Sequence, residues 1–364
     1  MKKVLIKSIK QNYPVFVGSE TLPFLPELIS EYDLPKRIFV ILDRNIEHHF
    51  GNEIKETVDA MAEQIHYSVV TASEKNKSFD AAAKIYSALY KQQFGRDTLI
   101  IAIGGGTIGD LAGFIASTYM RGVALVHIPT TLLSMVDSSI GGKTGLNFME
   151  AKNLIGSFYQ PSFVLIDTNF LRTLPKKEII SGFGEVIKYS FLTDKQFYIK
   201  LLLDFHLLKK LNSKFIVEII LQCIKIKSAV VMEDEFEKSG LRKILNFGHT
   251  FAHAYESVSN YQISHGIAVI IGIINALHLS NELGLINQIQ LDKMIELPMK
   301  LKDELKLTNF DEEDIFRSMR YDKKNKEGRN RFVLIKNFGE ILVDVPAKKH
   351  SVIKTLSKTR KILV

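Results

Sequence analysis

The stretch Thr98-Leu-Ile-Ile-Ala-Ile-Gly-Gly-Gly-Thr-Ile-Gly-Asp110 decides the fold class of this 364-residue chain. Its apolar first half predicts a buried strand, and its glycines predict a tight turn into a helix. Gly104, Gly106 and Gly109 have the G-x-G-x-x-G spacing of a dinucleotide-binding turn, where pyrophosphate lies at a helix N-terminus. The acidic residue expected about 20 positions later is missing. Asp43, at the end of an earlier predicted strand, is therefore the candidate contact to a ribose or adenine, and a glycine-rich turn without a ligand is the alternative.

Strand-like and helix-like segments alternate along the first half of the chain. Strands are predicted at residues 4–6, 15–17, 37–42, 65–70, 98–103 and 123–128. Helices are predicted after residue 45 to about 64, from 79 to about 92, and at 111–119. Strands separated by helices predict a parallel, doubly wound, Rossmann-like sheet.

Helical periodicity dominates from residue 176 onward. Helices are predicted at residues 179–192, 196–209, 214–233, 245–258, 265–285 and 291–305, the last one kinked or split by Pro298. Strands return only at residues 331–335 and 340–345. This change predicts an α/β domain at residues 1–177 and a mainly helical domain at residues 178–364, with a site in the cleft between them.

The composition is that of an ordinary globular protein, with 46% hydrophobic and 24% charged residues. The net charge of +8 favours an anionic partner, and the dispersed lysines favour a phosphorylated metabolite over nucleic acid. The single cysteine, Cys223, excludes an internal disulfide and fits a reducing, cytoplasmic setting. The longest apolar run, residues 267–277, is too short to span a membrane, and the N-terminal pattern does not predict a signal peptide.

A second glycine-rich stretch, residues 128–147 (IPTTLLSMVDSSIGGKTGLN), begins where the strand at 123–128 ends. Its polar members are Thr130, Thr131, Asp137, Lys143 and Asn147. Buried polar groups are costly unless they are paired or bind a ligand, and a lysine between glycines is a natural phosphate site. The stretch is not an ATP-binding P-loop, because Asp137 occupies the position of the first glycine. For an isolated motif of this kind, a polar surface loop is the alternative.

Three histidines in the helical half are candidates for metal binding or proton transfer. His249 and His253 are four residues apart and share a helix face, and His265 follows twelve residues later. Glu185, in the apolar segment 182–189 (GFGEVIKY), offers an oxygen ligand. Two histidines and one glutamate with an open position are typical of catalytic zinc sites. The alternative is that these histidines are hydrogen-bonded core residues.

Cationic residues recur in apolar, glycine-flanked segments rather than in solvated charge runs. They are Arg121, Lys143, Lys152, Lys188, Lys227, Arg242 and the pair Lys323 and Lys324. Arginine and lysine are the usual partners of phosphate and carboxylate groups. The set favours an anionic substrate, although a solvated surface position is the alternative for any single member.

Taken together, these segments resemble the 3-dehydroquinate synthases, enzymes of the shikimate pathway. The matching blocks are residues 104–110, 129–147, 152–161, 170–175, 182–189, 240–257 and 264–266, in this order within residues 40–335. The resemblance implies an N-terminal NAD-binding domain, a mainly helical metal- and substrate-binding domain, and a Zn²⁺ or Co²⁺ ion. It also implies a homodimer in which Arg121 reaches the partner's site.

The resemblance further implies roles for individual residues. The implied metal ligands are Glu185, His249 and His265. The implied NAD environment is Asp43, Asn45, Glu74, Lys77, Gly105, Gly106, Asp110, Thr130, Thr131, Lys143, Lys152, Phe170 and Thr173. The implied substrate contacts are Arg121, Asp137, Lys143, Asn153, Lys188, Lys227, Arg242, Asn246 and His253, with Lys323 or Lys324. The implied catalytic residues are Lys143, His253 and Glu237; the segment 232–240, which contains Glu237, is one residue longer than the family's usual spacing.

The implied substrate is 3-deoxy-D-arabino-heptulosonate 7-phosphate, a seven-carbon sugar acid phosphate. NAD⁺ would be used catalytically. The substrate would be oxidised at C5, lose phosphate by β-elimination, be reduced again, and close by an aldol reaction to 3-dehydroquinate.

Other proteins of the same fold are the alternatives. Iron-type and glycerol dehydrogenases typically use an aspartate with three histidines and have no lysine-rich phosphate site. Other sugar phosphate cyclases usually depart from the sequence DSSIGGKTG, which this chain keeps at residues 137–145. A nucleotide-sensing module without enzymatic activity would have no use for the histidines and the cations.

Overall fold

The computed structural model describes residues 1–9, 11–149, 151–305, 307, 310–319 and 330–363. By their internal contacts the residues form two compact units. The first comprises Met1–Pro175 and Ser213–Phe236, and the second comprises Lys176–Asn212 and Glu237–Val364. The domain division predicted at residue 177 differs from these units in one segment, because Ser213–Phe236 clusters with the first unit.

Strands and helices are numbered in chain order. The strands are β1 (Lys2–Ile6), β2 (Tyr13–Gly18), β3 (Arg37–Asp43), β4 (Gln64–Val70), β5 (Thr98–Gly104), β6 (Ala124–Pro129), β7 (Lys143–Phe148), β8 (Ala151–Phe158), β9 (Phe163–Asp167), β10 (Arg331–Asn337) and β11 (Glu340–Pro346). The helices are α1 (Leu25–Glu31), α2 (Arg44–Asp59), α3 (Phe79–Lys91), α4 (Gly106–Thr118), α5 (Lys176–Phe191), α6 (Lys195–Leu203), α7 (Phe205–Lys209), α8 (Ser213–Glu233), α9 (His249–Val258), α10 (His265–Glu282), α11 (Gln288–Met299), α12 (Glu312–Met319) and α13 (Lys349–Leu363). A π-helical turn occupies Ser134–Ser138, and 3₁₀ turns occupy Leu22–Phe24, Glu74–Asn76, Tyr119–Arg121, Thr168–Thr173, Leu241–Asn246 and Lys302–Glu304.

The first unit is built on a seven-stranded sheet with the order β1-β2-β9-β6-β5-β3-β4. The strands β1 and β2 pair antiparallel, and the other neighbours pair parallel. Residues 38–42 of β3 are fully buried, as expected for a strand covered by helices on both faces. This parallel, Rossmann-like arrangement confirms the fold class predicted for the N-terminal half.

Helix α8 belongs to the first unit because it packs against β1, β2 and the π-helical turn. Nζ of Lys227, on this helix, lies 2.9 Å from Oδ1 of Asp137 in that turn. The sequence placed residues 214–233 in the helical half because helical periodicity does not reveal what a helix packs against. The observed packing brings Lys227 to the glycine-rich stretch 128–147.

Two segments near the glycine-rich turns differ from the prediction. Helix α4 begins at Gly106, whereas the sequence predicted a helix from residue 111. Glycine has a low helix propensity, so the turn of α4 that contains Gly106 and Gly109 was not predicted as helix. Residues 143–148 and 151–158, for which no strand was predicted, pair as the antiparallel strands β7 and β8.

The second unit is mainly helical and contains the predicted strand pair, β10 and β11. The predicted helix at 196–209 is divided into α6 and α7 at Asp204. The predicted helix at 245–258 starts only at His249, because Gly248 has a φ of +80°. Helices α12 and α13 were not predicted. Within the described residues, every helix is too short or too polar to cross a membrane.

Asp167, at the end of β9, fixes the segment after β2 to the sheet. Asp167 is 2% exposed, and its carboxylate accepts four hydrogen bonds from backbone N–H groups. The donors, at 2.6–2.9 Å, are the N–H groups of Glu20, Thr21, Leu22 and Asn169. We expect Asp167→Ala to lower the free energy of unfolding by at least about 3 kcal/mol, because these donors lose a charged acceptor.

Urea unfolding of the variants measures this effect. Asp97→Ala is the control, since it removes only the partly exposed ion pair with Arg37 and should cost less than about 1 kcal/mol. If Asp167→Ala costs no more than Asp97→Ala, the carboxylate is not what holds the segment.

Candidate functional site

Three side chains of the second unit converge where α5, α9 and α10 meet. Glu185 lies in α5, His249 is the first residue of α9, and His265 is the first residue of α10. Oε1 of Glu185 is 3.6 Å from Nε2 of His249 and 3.5 Å from Nε2 of His265. The three ligand atoms lie within 4.8 Å of one another. The structure therefore brings together the residues predicted as metal ligands.

The outer contacts of both histidines orient their rings so that Nε2 faces Glu185. Nδ1 of His249 is 3.3 Å from the carbonyl oxygen of Phe247, and Nδ1 of His265 is 3.4 Å from Oε2 of Glu256. A proton on each Nδ1 satisfies these acceptors and leaves the Nε2 lone pair facing Glu185. Two imidazole nitrogens and one carboxylate oxygen form the donor set of catalytic Zn²⁺ and Co²⁺ sites, so the residues fit a divalent metal.

The charges around this cluster favour a cation. Burial by itself would lower the pKa of His265, but the carboxylates of Glu185 and Glu256 raise it to about 10. Glu185 also pairs with the buried ammonium of Lys188. Two buried carboxylates thus attract positive charge to His265, and a divalent cation at Nε2 would supply that charge in place of a proton.

Glu185 and His265 meet because α5 and α10 cross with their backbones in contact. Gly184 precedes Glu185, and Gly266 follows His265. A Cβ atom on Gly266 would overlap the carbonyl oxygen of Ser181, and a Cβ atom on Gly184 would overlap that of Gly266. The N–H of Gly266 also donates to Oγ of Ser181 at 3.1 Å. Side chains at either glycine would push the two candidate ligands apart.

A second glycine pair places His249. Helices α9 and α10 approach at Gly248 and Gly272, where a Cβ atom on Gly272 would overlap the carbonyl oxygen of Gly248. The positive φ of Gly248, +80°, directs the chain into α9 at this point. Helix α10 therefore makes a glycine contact with each helix that carries another candidate ligand.

Glu256 is a site residue that the sequence analysis did not identify. It is 6% exposed on α9 and follows His249 by seven residues, so it lies two turns along the same face. This spacing of a buried acid is the signal that could have identified it. We expect Glu256→Gln to lower the affinity for Zn²⁺ about 10- to 100-fold, because His265 loses the carboxylate that orients its ring.

Competition with a chelating dye measures that affinity. Glu340→Gln, which removes an exposed ion pair with Lys336, is the matched control and should bind Zn²⁺ as the unmodified protein does. Equal affinities in the two variants would mean that Glu256 does not support the metal centre.

His253 lies one turn along α9 from His249. Its ring centroid is 5.5 Å from that of His249 and 6.5 Å from that of His265. An exposed imidazole beside two candidate ligands is placed to exchange protons with solvent or substrate.

The predicted substrate contacts Lys323 and Lys324 lie outside the described residues.

The predicted residues Arg242 and Asn246 share the 3₁₀ turn Leu241–Asn246. Nε of the buried Arg242 is 3.8 Å from Oε1 of Glu237, which has a φ of +56°. Although the segment 232–240 is one residue longer than the family's usual spacing, Glu237 lies close to Arg242.

In the first unit, buried hydroxyl groups lie beside the glycine turn between β5 and α4. Helix α4 begins without a side-chain cap at Gly105, and the first N–H groups of a helix have no partner inside it. A Cβ atom on Gly106 would lie only 2.8 Å from Oγ of Ser138. Among the described residues, the hydroxyls of Ser138 and of Thr130, whose N–H donates to the carbonyl oxygen of Gly104, are buried without a hydrogen-bond partner. This combination fits an anionic group such as pyrophosphate.

Lys77 is the centre of a charged network in the first unit. It is 3% exposed, and its Nζ contacts Oδ2 of Asp110 and Oδ1 of Asn153. Burial raises the pKa of Asp110, and the Lys77 ammonium acts in the opposite direction. Asp43 caps α2 by accepting from the N–H of Asn45 at 3.0 Å, and burial raises its pKa as well.

The other predicted residues of the first unit lie on its strands and turns. Lys143 begins β7, and Lys152 lies on β8. Glu74 begins the 3₁₀ turn Glu74–Asn76, Arg121 ends the turn Tyr119–Arg121, and Phe170 and Thr173 lie in the turn Thr168–Thr173. Thr131 precedes the π-helical turn. Lys143 and Lys152 are exposed. The ligand roles assigned to all of these residues stay predictions.

Comparisons with known proteins assign the family. Residues 67–181 match the family model described as 3-dehydroquinate synthase N-terminal, and residues 182–325 match the one described as 3-dehydroquinate synthase C-terminal. A 3-dehydroquinate synthase from Alkaliphilus oremlandii is 42% identical over 327 residues, which is 89% of each chain. The chain belongs to the 3-dehydroquinate synthase family. Another member, from Pelagibacter ubique, is 40% identical over 93% of each chain.

Solved structures share the fold of this family member over nearly its whole length. A 2-deoxy-scyllo-inosose synthase complexed with carbaglucose-6-phosphate, NAD⁺ and Co²⁺ is 25% identical, with a TM-score of 0.88 and 99% of each chain covered. A 2-epi-5-epi-valiolone synthase from Streptomyces hygroscopicus with NAD⁺ and Zn²⁺ bound is 24% identical, with a TM-score of 0.87 and coverage of 98% and 99%. The similarity to the second of these indicates the fold alone.

Proposed function

We propose that this protein is a 3-dehydroquinate synthase, a carbon–oxygen lyase that converts 3-deoxy-D-arabino-heptulosonate 7-phosphate to 3-dehydroquinate and phosphate. The observation that carries the proposal is the convergence of Glu185, His249 and His265 in a chain of this family. The intact loop at residues 137–145 favours this reaction over those of other sugar phosphate cyclases.

The proposal includes NAD and a divalent metal. Glu185, His249 and His265 would hold Zn²⁺ or Co²⁺, and the turn at Gly105 and Gly106 would hold the pyrophosphate of NAD. When bound, NAD⁺ accepts a hydride and the metal polarises a hydroxyl as a Lewis acid. Support comes from the donor set of the metal cluster and from the unpaired hydroxyls beside the glycine turn.

The substrate carries a phosphate and a carboxylate, and the chain offers cations for both. Nζ of Lys227 donates to the carbonyl oxygen of Asp137 at 2.7 Å and contacts its Oδ1, so it fixes the turn that precedes Lys143. Arg242 is 3% exposed, and a guanidinium in such a poorly solvated place interacts strongly with an oxyanion. Lys143, Lys227 and Arg242 are therefore assigned to binding the anionic groups and stabilising the departing phosphate.

The elimination removes a proton from C6 and breaks the C7–O bond, so that phosphate leaves with the bonding electron pair. His253 is assigned to holding the proton near the leaving phosphate, because its imidazole is exposed beside the candidate metal ligands. Glu237, in contact with Arg242, is the second candidate for proton transfer.

The proposal extends to a homodimer in the cytoplasm. Arg121 is exposed in a turn with a φ of +68°, and we assign it to the site of the partner subunit. The cytoplasmic location is supported by Cys223, a buried thiol that is not part of a disulfide.

A phosphate-release assay tests the proposed function. The purified protein is incubated with 3-deoxy-D-arabino-heptulosonate 7-phosphate, with and without NAD⁺, before and after metal removal with EDTA. We expect phosphate and 3-dehydroquinate in equal amounts only when NAD⁺ and metal are both present, with activity restored by Zn²⁺ or Co²⁺ and without accumulation of NADH.

Two other outcomes would assign a different reaction. Accumulation of NADH in proportion to the substrate would indicate a simple dehydrogenase. Turnover of glucose 6-phosphate or sedoheptulose 7-phosphate, but not of the proposed substrate, would indicate an inosose- or valiolone-forming cyclase.

A further inference from the structure

Asn147, in β7, joins two segments that carry candidate ligand contacts. Its backbone N–H donates to the carbonyl oxygen of Lys77 at 2.8 Å. Its Nδ2 donates to the carbonyl oxygen of Glu74 at 3.0 Å and to Oε2 of Glu74 at 2.7 Å. Its Oδ1 accepts from the N–H of Asn153 at 2.9 Å. One residue therefore holds the 3₁₀ turn Glu74–Asn76 and strand β8 together.

Lys77 closes these contacts into a ring. Its Nζ contacts Oδ1 of Asn153 and also Oδ2 of Asp110. Lys77, Asn147 and Asn153 thus each contact the other two. Asn153 has a φ of +53°, a left-handed conformation that asparagine adopts more readily than most residues other than glycine. The hydrogen bond to Asn147 holds Asn153 in the conformation that reaches Lys77.

The partners require an amide at position 147. Both groups of Glu74 are acceptors and the N–H of Asn153 is a donor, so the side chain must donate on one side and accept on the other. A carboxylate would keep the acceptor but would place a second negative charge against Glu74. If Asn147 served only to stabilise the end of the β7–β8 strand pair, hydrogen bonds to backbone groups would be sufficient. The bond to the Glu74 carboxylate is not needed for that role.

We infer that Asn147 is a positioning residue that couples Glu74 and Lys77, in the NAD environment, to the substrate contact Asn153. The inference rests on the proposed function, which assigns these ligand roles. Asn147 fixes the Glu74 carboxylate and the loop of Lys77 before a ligand arrives, and the same side chain fixes the backbone of Asn153. Such preorganisation lowers the ordering cost of binding for both ligands.

Substitutions of Asn147 test this coupling. The dissociation constant of NAD⁺ is measured by calorimetry, and KM and kcat are measured by phosphate release. Asn147→Ala should raise the NAD⁺ dissociation constant and the substrate KM by about 10- to 100-fold, because hydrogen bonds to a charged group are lost. The change in kcat should be smaller, because Asn147 does not touch the reacting atoms.

A double-mutant cycle with Glu74 makes the test specific. Asn147→Asp places two carboxylates against each other and should weaken NAD⁺ binding. In Asn147→Asp combined with Glu74→Gln, the new amide can donate back to the new carboxylate, which restores the bond with reversed polarity. The double variant should then bind NAD⁺ at least about fivefold more tightly than the two single effects predict together.

Asn76→Ala is the matched control in the same loop. It removes only the bond from Nδ2 of Asn76 to the carbonyl oxygen of Thr71, at 2.7 Å, and should change binding less than about twofold.

Unchanged NAD⁺ binding in Asn147→Ala, or purely additive effects in the cycle, would overturn the inference. If the circular dichroism spectrum shows that Asn147→Ala is unfolded, the isosteric Asn147→Asp and the double variant are used to test the inference instead. Unmodified protein that does not bind NAD⁺ would instead overturn the proposed function, and the inference with it.

Discussion

Glu185→Gln is expected to remove the bound metal and to lower kcat at least about 1000-fold. Lewis-acid stabilisation is worth about 4 kcal/mol, and about 1.4 kcal/mol corresponds to a tenfold change in rate. Glutamine has nearly the same shape, but its neutral amide oxygen is a poor ligand for a divalent cation. The substitution also leaves the buried Lys188 without its ion-pair partner Glu185, so some loss of stability should accompany the loss of metal.

Atomic emission spectrometry after desalting measures the metal content, and thermal melting separates metal loss from unfolding. Glu178→Gln, at an exposed position on the same helix, is the control and should retain both metal and activity. A Glu185→Gln protein with full metal content, or with kcat within tenfold of the unmodified protein, would exclude Glu185 as a ligand.

Gly266→Ala is expected to destabilise the second unit and to empty the metal centre without altering any ligand. The added methyl group would overlap the carbonyl oxygen of Ser181, and backbone atoms cannot rotate away from it. Helices α5 and α10 must therefore separate, which moves Glu185 and His265 apart. Overpacking of this kind costs about 1–3 kcal/mol, and the rigid backbone contact places this site at the upper end of that range or above it.

The free energy of unfolding and the Zn²⁺ affinity, measured on the same preparation, test this expectation. Gly51→Ala, in helix α2, is the control, because its Cβ would lie 3.6 Å from Cγ of Glu47, an ordinary contact. That change should be neutral or stabilising by up to about 1 kcal/mol. Gly266→Ala protein with unchanged stability and Zn²⁺ affinity would show that the glycine crossing does not position the ligands.

Short sequence patterns identified the chemical groups of the candidate site. Glu185, His249 and His265 were selected by residue type, helix spacing and resemblance, and the structure brings their ligand atoms within 4.8 Å of one another. Their role as ligands stays a prediction. The buried strands were equally clear, because a continuous apolar run that ends in glycine, such as that of β5, is typical of a strand covered on both faces.

Which segments meet in space could not be predicted. Helix α8 has the same periodicity as the helices of the second unit, yet it packs with the first. Asn147 bonds to Glu74, 73 positions away, and Gly266 bonds to Ser181, 85 positions away. In the sequence, Asn147 is one polar residue among several in a loop, and Gly266 is one glycine among 22. Their importance depends on contacts with residues that are distant in the sequence, and local sequence patterns do not reveal such contacts.

The fate of a deuterium atom at C5 of 3-deoxy-D-arabino-heptulosonate 7-phosphate tests the proposed reaction most directly. The protein is supplied with Zn²⁺ and a small amount of NAD⁺, and the product is examined by mass spectrometry. We predict that 3-dehydroquinate retains the deuterium on the carbon that was C5, with an equal amount of phosphate released and no NADH accumulated. Deuterium found in an accumulating reduced cofactor, or lost to solvent, would contradict the proposed synthase reaction.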